Sequence, residues 1–246
     1  MLAALADDPS ATIMDAALAV NACIDEDLDL SAVRRELARL CERCGEGAPW
    51  QVLKSERFAG LPPQDVVAGS RMDAVLESRR GLPITLAVLI AHLAAAAGME
   101  ARGVNFPGHF LVRVDGILVD PIALEPRTET ECLAVLPGNA DRAAAFAEAG
   151  PRDVALRMFN NLKFFHAGRG EHHRALDMVD CQLKLLPEHG GLILEQGECW
   201  LRLGSVQGAR LAFEQIVGGG VHADEATVAR ALARLRELSG RSDTLH

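Results

Sequence analysis

The feature that most constrains the fold is an apolar stretch over residues 84–97, which follows Pro83 and ends at Gly98. Proline fits the first position of a helix, and glycine suits the left-handed residue that closes a helix end. Because the stretch is apolar on nearly every side, it predicts a helix buried at the centre of its domain.

A β-hairpin is predicted directly downstream of this helix. Residues 101–106 and 109–114 are rich in valine and phenylalanine, and residues 117–119 resume the apolar run. Asp115-Gly116 is a dipeptide that tolerates the positive φ angles of a type I′ turn. The pattern indicates strands closed on that turn.

The hairpin register predicts that a histidine meets an aspartate. With a two-residue turn, Asp120 lies opposite Leu111, and His109 shares the face of Leu111 because side chains alternate with period two. A carboxylate beside an imidazole is the orienting pair of a nucleophile-base-acid arrangement. The thiol of such an arrangement is missing, since no cysteine lies between Cys44 and Cys132.

These motifs resemble a known family in their order along nearly the whole chain. The helix, the histidine on one strand and the aspartate at the end of the next are similar to the transglutaminase-like core, in which a cysteine at the start of the central helix attacks an acyl carbon. More closely, the chain resembles the SirB1 family of bacterial proteins, through Phe58, Asp73-Ala74-Val75-Leu76, Arg79-Arg80-Gly81-Leu82-Pro83-Ile84-Thr85-Leu86, Gly103 to Val112 and Asp120-Pro121.

The resemblance implies both a fold and a set of site residues. The fold is α+β and mainly helical: a transglutaminase-like domain with a small antiparallel sheet, followed by C-terminal helical repeats. By position, His109 and Asp120 match the catalytic histidine and aspartate. Counting back from Gly98, the nucleophile's position falls at or next to Pro83, where Thr85 is the nearest hydroxyl and a low-ranked catalytic candidate. The SirB1 family itself has no established reaction.

The candidate ligand-binding residues are Arg80, Asn105 and Pro83. Arg79 and Arg80 precede the central helix and could position an anionic substrate. Solvated or salt-bridged arginines explain them equally well.

The second half of the chain carries an internal repeat of 34 residues. It predicts helices at residues 151–167, 171–186, 191–203, 206–217 and 223–238. The residues that recur are Gly170, Ala175 and Val179, which return as Gly204, Ala209 and Phe213. This spacing resembles the tetratricopeptide repeat, whose helices bind peptides or simply extend a core.

The predicted domain boundary lies between Gly150 and Pro151. Residues 1–150 form the SirB1-type transglutaminase-like domain, and residues 151–246 form the repeat region. Upstream of the boundary the sequence predicts a surface excursion and then a linking helix, at residues 124–137 and 140–149.

Charge and composition exclude several classes of protein. The net charge of −9 comes from the part through Pro151, with 13 Lys and Arg against 22 Asp and Glu, while the remainder has 12 of each. Nucleic-acid binding needs clustered Lys and Arg, so no nucleic-acid partner is expected. No apolar stretch is long enough to span a membrane, and the absence of a basic n-region predicts no signal peptide and a cytoplasmic location. No cofactor is expected.

No metal site is predicted either. Cys41 and Cys44 form a CxxC pair on a helical pattern without a second pair, which favours reduced thiols over zinc or redox roles. The histidines at positions 166, 172 and 173 lack a helical i, i+4 pairing and nearby cysteine, which favours surface or helix-turn histidines.

The leading functional hypothesis is a non-catalytic accessory or protein-interaction protein, a pseudoenzyme whose cleft around His109 and Asp120 binds a peptide or small ligand. The repeat helices would bind a protein or peptide partner; the oligomeric state is left open. The alternative is a hydrolase or acyltransferase of the amide-bond class that uses Thr85, water or a cysteine from outside the motif. A third hypothesis is a substrate-binding subunit that acts with a separate enzyme.

Overall fold

The structure is a computed structural model that describes residues 10–25, 28–45 and 47–242, together with Leu2, Leu5 and Asp8. Its helices are α1 Ile13–Ile24, α2 Leu30–Cys44, α3 Pro49–Ser55, α4 Val66–Ser70, α5 Met72–Ser78, α6 Pro83–Ala96, α7 Glu129–Leu133, α8 Arg142–Ala145, α9 Pro151–Gly168, α10 His172–Leu185, α11 Gly190–Arg202, α12 Val206–Val217 and α13 Glu225–Ser242. Its strands are β1 Ala59–Gly60, β2 Arg80–Gly81, β3 Ala101–Val104, β4 Leu111–Val114, β5 Ile117–Asp120, β6 Glu125–Pro126 and β7 Glu148–Ala149. Among the described residues, none of the helices is both long and apolar enough to cross a membrane.

The expected fold class is confirmed: the chain is mainly helical, with a small antiparallel sheet. It divides into two compact units, Met1–Met158 and Phe159–His246. The boundary predicted at Gly150-Pro151 stays a prediction, and Pro151 is the first residue of α9.

The central helix α6 forms as predicted. Pro83 is its first residue, and Gly98 follows its end with a φ of 75°. Leu86, Leu89 and Leu93 are fully buried within it. The helix packs against β3 and β4 and also against α1, so its apolar surface is covered from several directions.

The predicted hairpin register is confirmed inside a larger sheet. Val112 pairs with Val119 and Val114 with Ile117, with Asp115 and Gly116 at φ 45° and 81°, as a type I′ turn requires. The strands are shorter than predicted, since β4 begins at Leu111. The full sheet has five strands in the order β6-β5-β4-β3-β7, all antiparallel.

The segment after the hairpin differs from its prediction. Residues 124–137 are not a simple surface excursion, because they supply strand β6 and helix α7. The predicted linking helix over residues 140–149 is only the four-residue α8, and its end is strand β7, which pairs with β3. Backbone pairing at the sheet edge takes the place of the expected last helical turns.

The second unit is a succession of helices close to the predicted bounds, and from α10 to α13 each helix contacts the next. Gly170 and Gly204, 34 residues apart, both adopt positive φ in the turn between two helices. Ala175 and Ala209 are fully buried one turn into the next helix. These pairs occupy equivalent environments, while assignment to the tetratricopeptide type stays a prediction.

Candidate functional site

A tight turn places the candidate histidine just before the start of β4, the middle strand of the sheet. Pro107 and Gly108 occupy its centre, Gly108 has a φ of 73°, and the His109 N–H donates to the Phe106 carbonyl over 3.1 Å. Proline followed by a positive-φ glycine is the pattern of a type II turn. His109 therefore lies two residues before β4, immediately after a rigid bend.

The predicted contact between His109 and Asp120 is confirmed. Nε2 of His109 lies 3.2 Å from Oδ1 of Asp120. The same oxygen accepts the backbone N–H groups of Ile122 and Ala123 over 2.9 and 3.2 Å. The carboxylate thus fixes both the imidazole ring and the start of the loop after β5.

The protonation of Asp120 sets the tautomer of the histidine. Burial alone would raise the pKa of Asp120, but the hydrogen bonds from His109 and from the N–H groups of Ile122 and Ala123 outweigh it and lower the pKa to about 2. An ionised carboxylate only accepts hydrogen bonds, so in neutral His109 the proton is on Nε2. Nδ1 is then left with a lone pair, as a proton acceptor requires.

A pocket of about 440 Å³ opens beside this pair. Its apolar lining is Phe106, Leu111, Val135 and Leu136, and its polar lining includes His109, Asp120, Arg127, Glu131 and Cys132. One wall of the pocket comes from α7 and the residues that follow it, namely Glu131, Cys132, Val135 and Leu136. This volume lies within the range of small-ligand sites in proteins.

Ion pairs and a cap hold the α7 wall in place. Arg113 on β4 and Arg142 on α8 both bind Glu129, over 3.0 and 2.6 Å. Thr128 and Glu131 form a reciprocal capping box at the start of α7. Glu131 is therefore committed to the helix end.

The structure does not bring Thr85 into this pocket. Thr85 is fully buried, and its hydroxyl lies 2.7 Å from the carbonyl of Gly69 and 3.0 Å from that of Leu82. A hydroxyl with one proton is satisfied by these acceptors. Its role is to tie the start of α6 to the end of α4.

The remaining sequence candidates also lie outside the pocket lining. Pro83 starts α6, and Arg80 is exposed on β2. Asn105 accepts a hydrogen bond from Arg157 over 3.0 Å. Arg79 binds Glu36 over 2.6 Å, as a salt-bridged arginine would.

Cys132 lines the pocket, and the sequence analysis did not place it there. Burial raises the pKa of its thiol, and the charge of Asp120 adds to the effect. A raised pKa leaves the thiol protonated at neutral pH. The Thr128 capping box was a usable sequence signal for α7, but the position of Cys132 in the same pocket as His109 depends on tertiary structure. Across the described part of the chain, no three His, Cys, Asp or Glu side chains group as a metal site would require.

Comparison with known proteins finds a family match over the residues that form the site. The family model of the transglutaminase-like superfamily matches residues 52–160, which contain α6, the hairpin, the pocket and the first part of α9. No solved structure matches the chain.

The curated relatives cover part of the chain. A UPF0162 protein of Xylella fastidiosa (strain 9a5c) is 34% identical over 154 residues, which are 57% of this chain and 55% of the relative. A UPF0162 protein of Pseudomonas aeruginosa is 29% identical over 173 residues, 62% of this chain and 64% of the relative. F-box only protein 21 of Mus musculus is 27% identical over 148 residues, 54% of this chain and 24% of the relative.

The chain spans about half the length of the UPF0162 proteins from two strains of Xylella fastidiosa, 9a5c and Temecula1. The region of similarity and the family match agree on the part that carries the site. The chain therefore contains a transglutaminase-like domain and is similar to UPF0162 proteins at 29 to 34% identity.

Proposed function

We propose that this chain is a non-catalytic accessory protein of SirB1 type, whose His109–Asp120 pocket binds a peptide or small ligand. One observation carries the proposal. The orienting pair is intact, with Nε2 of His109 bound to Asp120, while the hydroxyl nearest the nucleophile's position is buried against two carbonyls. A base without an activated nucleophile retains hydrogen bonding to a ligand but loses acyl transfer.

The form of the pocket supports binding. Its lining combines apolar side chains with a few polar groups, as ligand sites commonly do. His109 and Asp120 have side chains that are 30% and 20% exposed, so both remain accessible from solvent without being mobile surface groups.

The test is retention of small peptides in equilibrium dialysis. The probe is a mixed set of N-acetylated, C-amidated tripeptides that vary at the central residue, read by mass spectrometry. We expect the wild type to retain a subset, the His109→Ala variant to lose it, and the retained peptides to keep their mass.

The matched control is His222→Ala, because the His222 side chain is 88% exposed and belongs to the other unit. This variant should retain the same subset as the wild type. Equal retention by His109→Ala and wild type, or no retention at all, would refute a binding role for the pocket.

A second candidate function rests on Cys132. Because this thiol lines the pocket with His109, a hydrolase or acyltransferase with a nucleophile from outside the motif is the competing hypothesis. It requires His109 to take the proton from the thiol as the sulfur attacks the carbonyl carbon of an amide. His109 then returns that proton to the leaving amine as the C–N bond breaks, and water or a second amine releases the acyl group from the thioester. Peptide cleavage that disappears in both Cys132→Ser and His109→Ala would establish it.

We also propose that the second unit contacts a protein partner, with the chain located in the cytoplasm. Support comes from large apolar side chains exposed on its helices, since Phe164 is 67% and Leu211 is 58% exposed. Crosslinking in cells should give an adduct that Phe164→Glu abolishes and His222→Ala preserves. An unchanged adduct pattern would remove this unit from partner binding.

A further inference from the structure

The proposed pocket offers one hydrogen-bond acceptor in a fixed position. Asp120 holds the Nε2–H of His109, so Nδ1 of the neutral ring has a lone pair but no proton. The Pro107-Gly108 turn fixes the backbone of His109, and the carboxylate holds its ring. A ligand group that meets Nδ1 must therefore bring an N–H or O–H.

A donor lies in the same lining. Arg127 is half-exposed, and its Nε lies 3.9 Å from Oδ2 of Asp120, which is beyond hydrogen-bond distance. The guanidinium carries five N–H donors in a planar fork. Arg127 can therefore donate to a ligand oxygen while its charge stays balanced by Asp120.

The rest of the pocket is an apolar wall with an open rim. Phe106 and Leu111 are almost fully buried and form its base, while Val135 is 77% exposed at the edge. An isolated exposed valine is ordinary, but here it extends a wall that also contains Leu136. An aliphatic side chain laid on this wall would remove both surfaces from water.

Acidic groups oppose a negatively charged ligand side chain. Asp120 and Glu131 line the pocket, and the only cation in the lining is Arg127, which already faces Asp120. Burying a carboxylate against the apolar wall without its own partner is therefore unfavourable.

Resting on the function proposed above, we infer that the pocket binds an internal peptide bond next to an aliphatic residue. The amide N–H donates to Nδ1 of His109, the carbonyl accepts from Arg127, and the neighbouring side chain packs on Phe106, Leu136 and Val135. A peptide group supplies both an N–H donor and a carbonyl acceptor. The class of ligand is thus an uncharged peptide segment, not a free acid.

The first test compares three blocked tripeptides, N-acetyl-Ala-Xaa-Ala-amide with Leu, Ala or Glu at the centre, by calorimetric titration of the full chain. We expect the Leu peptide to bind at least about tenfold more tightly than the Ala peptide, because its side chain buries three more carbons. The Glu peptide should be the weakest. Equal affinities, or no binding by any of the three, would overturn the inference.

Charge at the rim provides a matched pair of variants. Val135→Glu should weaken binding of the Leu peptide by about tenfold or more, because the apolar contact is lost and the leucine side chain would remove the new carboxylate from water. Val206→Glu makes the same change at a 47% exposed valine of the other unit and should leave the affinity unchanged. Both sites are exposed, so both variants should fold. A Val135→Glu variant that binds like wild type contradicts the proposed wall.

The amide contact has its own readout. Methylating the leucine N–H of the Leu peptide removes the donor, and we expect a loss of about fivefold or more in wild type. In His109→Ala the methylated and unmethylated peptides should bind alike. Suppose that His109→Ala abolishes retention of the tripeptides, but that they show no preference for leucine or for the unmethylated amide. The binding function then survives, and this ligand class fails. If His109→Ala leaves retention unchanged, the proposed function fails as well.

Discussion

At the scale of single residues, Asp120 organises the site. One oxygen accepts from the imidazole and from two backbone N–H groups, so a single carboxylate sets both ring orientation and loop geometry. The contact with His109 could be predicted because strand alternation and a two-residue turn fix a register. The hydrogen bond of the Thr85 hydroxyl could not be predicted, because its acceptor is a carbonyl sixteen residues earlier in the chain.

The ionised form of Asp120 should stabilise the fold. Its folded-state pKa lies below its unfolded value, so the stabilisation is complete above about pH 4 and is lost as the pH falls toward 2. We expect Asp120→Asn to be less stable than wild type by about 1–2 kcal/mol at pH 6, and the difference to shrink near pH 2. Urea unfolding at both pH values measures it. A difference that is absent at pH 6, or the same at both pH values, contradicts the assigned hydrogen bonds.

Thr85 should matter for stability and not for the pocket. Thr85→Val leaves the Gly69 carbonyl without its hydroxyl donor, and we expect a cost of about 1–3 kcal/mol in unfolding free energy. Thr85→Ser keeps the donor and should recover most of that loss. Tripeptide retention should be the same in all three proteins. A stable Thr85→Val protein that no longer retains peptide would show that Thr85 takes part in peptide binding.

At the scale of secondary-structure elements, local signals in the sequence predicted the central helix α6 but not the short helix α7 beside the pocket. The proline, apolar run and glycine of α6 lie within sixteen consecutive residues, so the sequence alone predicts that helix. Helix α7 has five residues, too few for a periodic pattern, and it is held by Glu129 binding two distant arginines. The pocket wall therefore depends on tertiary ion pairs that no local window contains.

The packing of α11 on α12 gives a prediction of its own. A Cβ added at Gly197 would come within 3.0 Å of the ring of Phe213, which is fully buried. Gly197→Ala should therefore destabilise the second unit by about 1–3 kcal/mol. Gly168→Ala is the control, because nothing lies within 4 Å of its added Cβ at the end of α9. Equal thermal midpoints for the two variants would show that the ring has room to move.

At the scale of the whole molecule, the chain divides into two compact units, Met1–Met158 and Phe159–His246. The sequence predicts a boundary at Gly150-Pro151, and Pro151 is the first residue of α9. That boundary stays a prediction. Proline and glycine identify where an element begins or ends, whereas the extent of a folding unit depends on contacts between residues far apart in the sequence.

Truncation tests where the domain boundary lies. A fragment of residues 1–168 keeps the buried side chains of α9 and should unfold cooperatively. A fragment of residues 1–150 loses Val154 and Met158, each worth roughly 1.5–3 kcal/mol when buried, which is a large part of an ordinary domain's stability. Circular dichroism on heating compares them. A 1–150 fragment with the same cooperative midpoint as 1–168 would locate the boundary at Gly150-Pro151.

The central claim is that the His109–Asp120 pocket binds without catalysing. The most direct measurement is a single-turnover time course, with wild-type protein in excess over the mixed blocked tripeptides, quenched over one day and read by mass spectrometry of peptides and intact protein. We predict that peptides stay intact and that Cys132 carries no acyl adduct, while retention depends on His109. Cleaved peptide or an adduct on Cys132 that disappears in His109→Ala would contradict the account.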